Sequence, residues 1–253
     1  MSETENRTSQ QIGAGKESGP KPRTNASWIF ASPRRAALRT RIFQGLFAVA
    51  LALYAVLAFL AHRFAYFSWD LSLAHRIQSI DVPGFYSIMS AVSVLGSGWE
   101  PFALTLSAGA VLLMARRRAE AFVCVLGTGL GSGLDQVLKG LSDRPRPPSG
   151  LVHVLGSYHF ESFPSGHVIF FVDFFGFLLF VTWAIFKPFR GRTILMVLFV
   201  FLISIIGVSR VYLGAHWPSD VAGAYLAGGL WLTVIVETSR RLAARYDSAM
   251  SGS

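Results

Sequence analysis

Cysteine is nearly missing from this sequence. Cys124 stands alone, inside an apolar run, which excludes an intramolecular disulfide and any metal site built on thiolates. Charge is scarce too. Charged residues make up 15% of the chain and hydrophobic ones 52%, where a soluble globular domain carries about 25% charge; the balance points to a membrane protein. Acidic residues are fewest, 14 against 23 Lys and Arg, leaving a net charge of +9. Such an excess also suits nucleic-acid binding, but most of these cations sit beside apolar runs, as topology signals do, so nucleic acid is not an expected partner. No internal repeat of solenoid length is visible.

What the chain has in quantity is long apolar runs. Six are long enough to approach the roughly 30 Å of a bilayer's hydrocarbon as helices, near residues 43–60, 101–115, 119–139, 166–186, 194–212 and 218–238. The stretch from Pro83 to Trp99, moderately apolar with scattered Ser and Gly, reads as an interfacial or re-entrant helix before the second span. The expected fold class is therefore all-α: a polytopic membrane protein built as a six-transmembrane-helix bundle. Residues 1–28, polar with little to bury, read as a disordered cytoplasmic tail; 29–240 form the membrane domain and 241–253 a second cytoplasmic tail. Alternating spans put 17 of the 23 basic residues on one face, the positive-inside pattern, so the amino terminus is expected in the cytoplasm. Lys139, Arg144, Arg146 and Arg210 fall at outer ends, where topology gives no reason for them.

Three segments collect those unexplained cations. KGLSDRPRP runs from Lys139 to a loop holding Arg146; FPSGH opens the fourth span with Ser165, Gly166 and His167; SRVYLGAHWPSD joins Ser209 and Arg210 to His216 and Asp220. All three map to the outward ends of spans, so they can meet. Guanidinium forks from Arg146 and Arg210 match phosphate oxygens, and Lys139 adds a point charge. Ser165 suits a helix N-cap whose free N–H groups face an anion, and Gly166 permits close approach. His216 reads as a nucleophile whose second nitrogen gives its proton to Asp220, with His167 as the acid that protonates the leaving oxygen and later activates water. No metal-ligand cluster accompanies them, so no metal and no cofactor are expected. His62, His75, His153 and His159 read as boundary residues, Asp135 as Lys139's partner, and Asp173 as facing the bundle interior. Gly127, Gly129, Gly131 and Gly133 read as close helix packing.

Together these segments resemble the signature of the type 2 phosphatidic acid phosphatase family, K-x6-R-P, P-S-G-H and S-R-x5-H-x3-D, with each fixed position matched over roughly residues 40–240. The resemblance implies a six-helix bundle and metal-independent hydrolysis through a phosphohistidine at His216. It also implies phosphate binding by Lys139, Arg146, Ser165, Gly166, His167 and Arg210. The implied partner is a lipid phosphate in the bilayer: phosphatidate, phosphatidylglycerophosphate, undecaprenyl pyrophosphate or a lipid A phosphate. The same motifs extend to vanadium haloperoxidases, which are not rich in spans. A phosphotransferase using the same phosphohistidine, and a transporter or scramblase keeping a vestigial anion site, are the alternative functions. An inner bacterial membrane with the site facing outward is the expected location; oligomeric state is not legible.

Overall fold

The structure, a computed structural model, describes residues 33–251, with side chains from 38 to 245. The expected tail at 1–28 lies outside the described residues. Eight helices follow in order: α1 Pro33–Arg63, α2 Ser68–Gln78, α3 Phe85–Val94, α4 Glu100–Met114, α5 Arg118–Ser142, α6 Gly166–Ile185, α7 Arg190–Tyr212 and α8 Pro218–Ser251. The described residues contain no strand. Two compact units divide at Gly45 and Leu46. The described part of the first is the opening of α1; everything below concerns the second.

Five helices, α1, α5, α6, α7 and α8, are long and apolar enough to cross a membrane. The run expected as the second span is α4, whose 15 residues reach about 22 Å at 1.5 Å per residue, short of a full crossing. The stretch expected as an interfacial helix contains α3, and α2 precedes it unannounced. Mean hydropathy does not separate α1, at 2.2, from α6, at 2.3, yet none of the apolar window of α1 is buried within the protein and 67% of that of α6 is. The difference is position. Apolar all round, α6 is the central helix, packed against α5, α7 and α8. The rings of Phe170, Phe171, Phe174 and Phe175 pack on one another along it. By contrast α1 turns Leu46, Val56 and Phe59 outward, an apolar face suited to lipid.

Two connections bring the motif segments to one end of the bundle. The first is the loop 143–165, which leaves α5 through Asp143 in a left-handed conformation, φ 47°. Ser142 ties it back by donating to the Phe163 carbonyl at 2.6 Å. The second is the turn between α7 and α8, where Gly214 has φ +71° and a Cβ would strike the His153 carbonyl. Only glycine fits there. That turn folds back tightly enough for the N–H groups of Ala215 and His216 both to donate to Arg210 O.

Candidate active site

Lys139 lies in the last turn of α5 and Gly166 begins α6, and the two meet directly. Lys139 is 8% exposed and its Nζ donates to Asp135 Oδ2 at 2.6 Å, one helical turn back, as the sequence indicates. A Cβ at residue 166 would lie 2.5 Å from Asp135 Oδ2 and 2.9 Å from Lys139 Nζ, so glycine lets this pair sit against the start of α6 without shifting. Ser165 is the N-cap of α6, but its hydroxyl makes no capping bond. It is buried without a protein partner, beside the unfilled N–H groups of the first turn. A donor set with no intrahelical use is what an anion at a helix start needs.

His216 is 2% exposed and its two nitrogens face different groups. Nδ1 lies 2.8 Å from the Ser162 carbonyl, which can only accept. Nε2 lies 3.2 Å from Arg146 Nη1, which can only donate. The proton is therefore on Nδ1, and the lone pair of Nε2 points at the guanidinium. Burial first, then the charges of Arg146, Arg210 and Lys139, push the imidazole well below its ordinary range, and the Ser162 carbonyl only partly opposes them. The ring is neutral. The expected acceptor was Asp220, and here the structure differs: Asp220 Oδ2 is 3.7 Å from Nδ1. That oxygen is already taken by Ser162 Oγ at 2.5 Å and Trp217 N at 2.8 Å. Asp220 thus orients His216 at one remove, by holding the residue whose carbonyl receives the proton. As the third residue of α8 it also caps the helix, with Pro218 at the first position.

Arg146 is fixed from three directions. Its Nε and Nη2 donate to the carbonyls of His159 and Phe160, and Nη1 to Ala215 O at 2.8 Å. Burial lowers its affinity for a proton, an effect opposed by Asp220 and other nearby groups. Arg210, at the end of α7, is 4% exposed; Nη1 donates to Ser93 Oγ at 2.5 Å, and buried Nε has no protein partner. Tyr158 lies against both guanidinium groups, 5.7 Å from Arg146 and 5.2 Å from Arg210. Its burial raises the phenol's affinity for its proton.

His167 sits on the first turn of α6, and its Nε2 is 2.9 Å from Ser97 Oγ. Since Ser97 donates to Ser93 O, it accepts from Nε2–H. A Cβ on Gly96 would come within 2.7 Å of the His167 ring. Ser93, Gly96 and Ser97 therefore hold both Arg210 and His167, and sequence reasoning missed all three. The only signal was a pair of serines four apart in an apolar stretch. Ser162, Tyr158 and Asp70 were missed too, each lying outside the motifs.

The remaining readings divide. His62 contacts the Ser142 carbonyl, within the first motif segment, and His75 the Leu151 carbonyl, while His159 supplies a carbonyl rather than a ring to Arg146. Asp173 is 1% exposed, in the interior as expected, with neither oxygen partnered. Of the four glycines on α5, Gly127 packs against Ile235 and Gly131 against Asp173 and Trp231, but Gly129 and Gly133 face open space. The packing reading is corrected for those two: they turn to the outer side of α5, where Gly129 lines a cavity. This cavity of about 460 Å³ lies among α4, α5 and α6; Lys139, Gly166 and His167 are at its polar end, and Phe102, Leu106 and Val125 line its apolar part. Among the described residues no group of three or more His, Cys, Asp or Glu side chains is arranged to hold a metal ion.

Residues 120–243 match the family model of the PAP2 superfamily. Phosphatidylglycerophosphatase B of Bacillus subtilis (strain 168) is 28% identical over 178 residues, 69% of this chain and 85% of that one. A solved transmembrane PAP2 type phosphatidylglycerolphosphate phosphatase from Bacillus subtilis has a TM-score of 0.67 at 24% identity, covering 77% of this chain and 96% of its own, a likeness of fold. LpxE of Aquifex aeolicus has a TM-score of 0.54 at 25% identity, covering 68% and 96%.

Proposed function

The chain belongs to the PAP2 superfamily, and from that premise we propose that it hydrolyses the phosphate ester or pyrophosphate of a membrane lipid through a phosphohistidine at His216. One observation carries the reading: a buried neutral imidazole, its proton fixed on Nδ1 by Ser162, presents a bare Nε2 among three cationic side chains. Nε2 attacks phosphorus and the bond to the lipid oxygen breaks. Lys139, Arg146 and Arg210 take up the charge on the phosphoryl oxygens, with the Ser165 hydroxyl and the N–H groups of Gly166 and His167. His167 enters the step as the imidazolium, its charge matched by the bound phosphate: Nε2–H stays on Ser97 and the Nδ1 proton goes to the leaving oxygen. The same nitrogen then takes a proton from water, whose oxygen displaces His216 and releases inorganic phosphate.

The cavity beside Lys139 and His167 supports a lipid substrate, since its apolar part offers an alkyl chain a path between α4 and α5. Phosphatidylglycerophosphate is the first candidate, from the named activity of the Bacillus relative. Four features of the reading go further. Hydrolysis needs no divalent metal, because cationic side chains do the work of one. The bundle crosses the membrane six times, with α3 at the interface and α4, too short to span an unperturbed bilayer, crossing where the bilayer thins around it. The amino terminus is cytoplasmic. The site opens outward from a bacterial inner membrane.

The test is phosphate release by the purified protein from a panel of lipid phosphates in chelator, with product analysis to detect transfer to another hydroxyl. His216→Ala is expected to fold and to have no turnover; normal release by that variant refutes the nucleophile assignment.

A further inference from the structure

Behind Asp220 lies a charge cluster that joins two of the motif segments to α2. Arg144 is 1% exposed, and Asp70, on α2, is fully buried, as is Asp220. Arg144 Nη1 donates to Asp220 Oδ1 at 2.5 Å and Nη2 to Asp70 Oδ2 at 3.1 Å, while Nε donates to Ala65 O at 3.2 Å. Ser219 closes the ring: its Oγ donates to Asp70 Oδ2 and accepts from Arg144, and its N–H donates to Asp70 Oδ1 at 2.8 Å. The Phe67 ring lies under the guanidinium, 5.0 Å from its carbon, and Tyr66 stacks on Trp217, so the cluster is roofed by the turn between α1 and α2.

Two carboxylates share one guanidinium, which leaves the cluster with one net negative charge. Capping gives each carboxylate a local use: Asp220 accepts from Trp217 N at the start of α8, and Asp70 from Phe67 N at the start of α2 and from Ser219 N. It does not call for a guanidinium between them, and a buried ion pair of one acid and one base is neutral and less costly than a triad carrying net charge. Arg144 bonds Asp220 through Oδ1, while Oδ2, 3.7 Å from His216 Nδ1, is held by the neutral donors of Ser162 and Trp217, so the charge on that oxygen faces the ring. There it is needed: as Nε2 bonds to phosphorus the ring, still carrying its Nδ1 proton, becomes cationic. We propose that Asp70 and Arg144 are positioning residues that fix Asp220 and keep its negative charge available to His216 during phosphoryl transfer. This rests on the phosphohistidine reading.

The charge count makes the test. Asp70→Asn takes the cluster from one net negative charge to none, and adding Arg144→Gln restores it. The groups facing His216 are otherwise unchanged: Arg146 from the loop, Arg210 from α7, Lys139 from α5, His167 from α6 and Asp220 from α8. Phosphoenzyme formation from phosphatidylglycerophosphate is measured by rapid quench, per titrated site, so that misfolded protein is not counted. Asp70→Asn is expected to slow this step by roughly 10- to 100-fold with little change in KM, less than loss of the orienting carboxylate itself. It is also expected to move the acid limb of kcat/KM to lower pH, because a cationic ring loses its partner charge. The double variant is expected to recover at least part of the rate and return the limb toward wild type, which a merely structural role does not do. Unchanged rate and pH profile in Asp70→Asn, or a double variant no faster than the single, overturns the inference. A wild type that releases phosphate without a phosphoenzyme overturns the function reading and this inference with it.

Discussion

Ser97→Ala removes one hydroxyl and tests whether α3 acts in catalysis. Ser97 Oγ is 3.0 Å from Ser93 O and 2.9 Å from His167 Nε2, so it spends its proton on the carbonyl and accepts from the ring. Alanine leaves Nε2–H without that acceptor and frees the ring to turn or change tautomer. A typical hydrogen bond contributes about 1 kcal/mol net, and a stranded buried donor costs about 1–3 kcal/mol. His167 is only partly buried, so water replaces some of what is lost, and the lower half of the range applies. At about 1.4 kcal/mol per decade that is roughly a 5- to 30-fold fall in kcat/KM. The loss should fall on protonation of the leaving oxygen. The comparison is made in kcat/KM, which ends at release of the alcohol and so leaves out the later attack of water, on a lipid phosphate, whose alkoxide needs a proton, and on an activated aryl phosphate, whose phenolate does not. The lipid substrate is expected to suffer the full loss and the aryl substrate little. Unchanged kcat/KM, or equal loss on both, refutes the assignment of Ser97 to the acid.

Other outcomes follow from the same geometry. Burial and the cations around His216 oppose its protonation, so the limb of kcat/KM that reports the nucleophile is expected below pH ~6.5, the ordinary imidazole value; a midpoint at or above it, read from a pH profile, contradicts the neutral-ring argument. Gly166→Ala puts a methyl against Asp135 and Lys139, an overpacking cost on the order of 1–3 kcal/mol, to be seen as a lower melting temperature together with weakened phosphate binding. A cysteine at exposed Ser157 is expected to react with a membrane-impermeant thiol reagent in intact cells, and one at Gly191 only after lysis. Native Cys124, fully buried, adds little background; the reverse pattern overturns the proposed sidedness.

The sequence by itself determined the class of protein and named most of the side chains that meet at one end of the bundle. Long apolar runs announced the membrane helices because a span must satisfy its backbone internally and cover its surface with apolar side chains, and both demands are local. Lys139, Arg146, Gly166, Arg210 and His216 were legible because cations and histidines at the ends of apolar runs have no use as topology signals there, and the proposed phosphate chemistry calls for those side-chain types. Only the tertiary structure decided who supports them. α1 and α6 read alike, and packing alone made one lipid-facing and the other the core. Ser97 reaches His167 across 70 residues, Asp70 reaches Arg144 across 74, and the Ser162 carbonyl displaces Asp220 from His216 Nδ1. Such partners carry no pattern, since a serine hydroxyl, a backbone carbonyl or a buried carboxylate serves equally well from any element that passes within 3 Å or so of the group it holds.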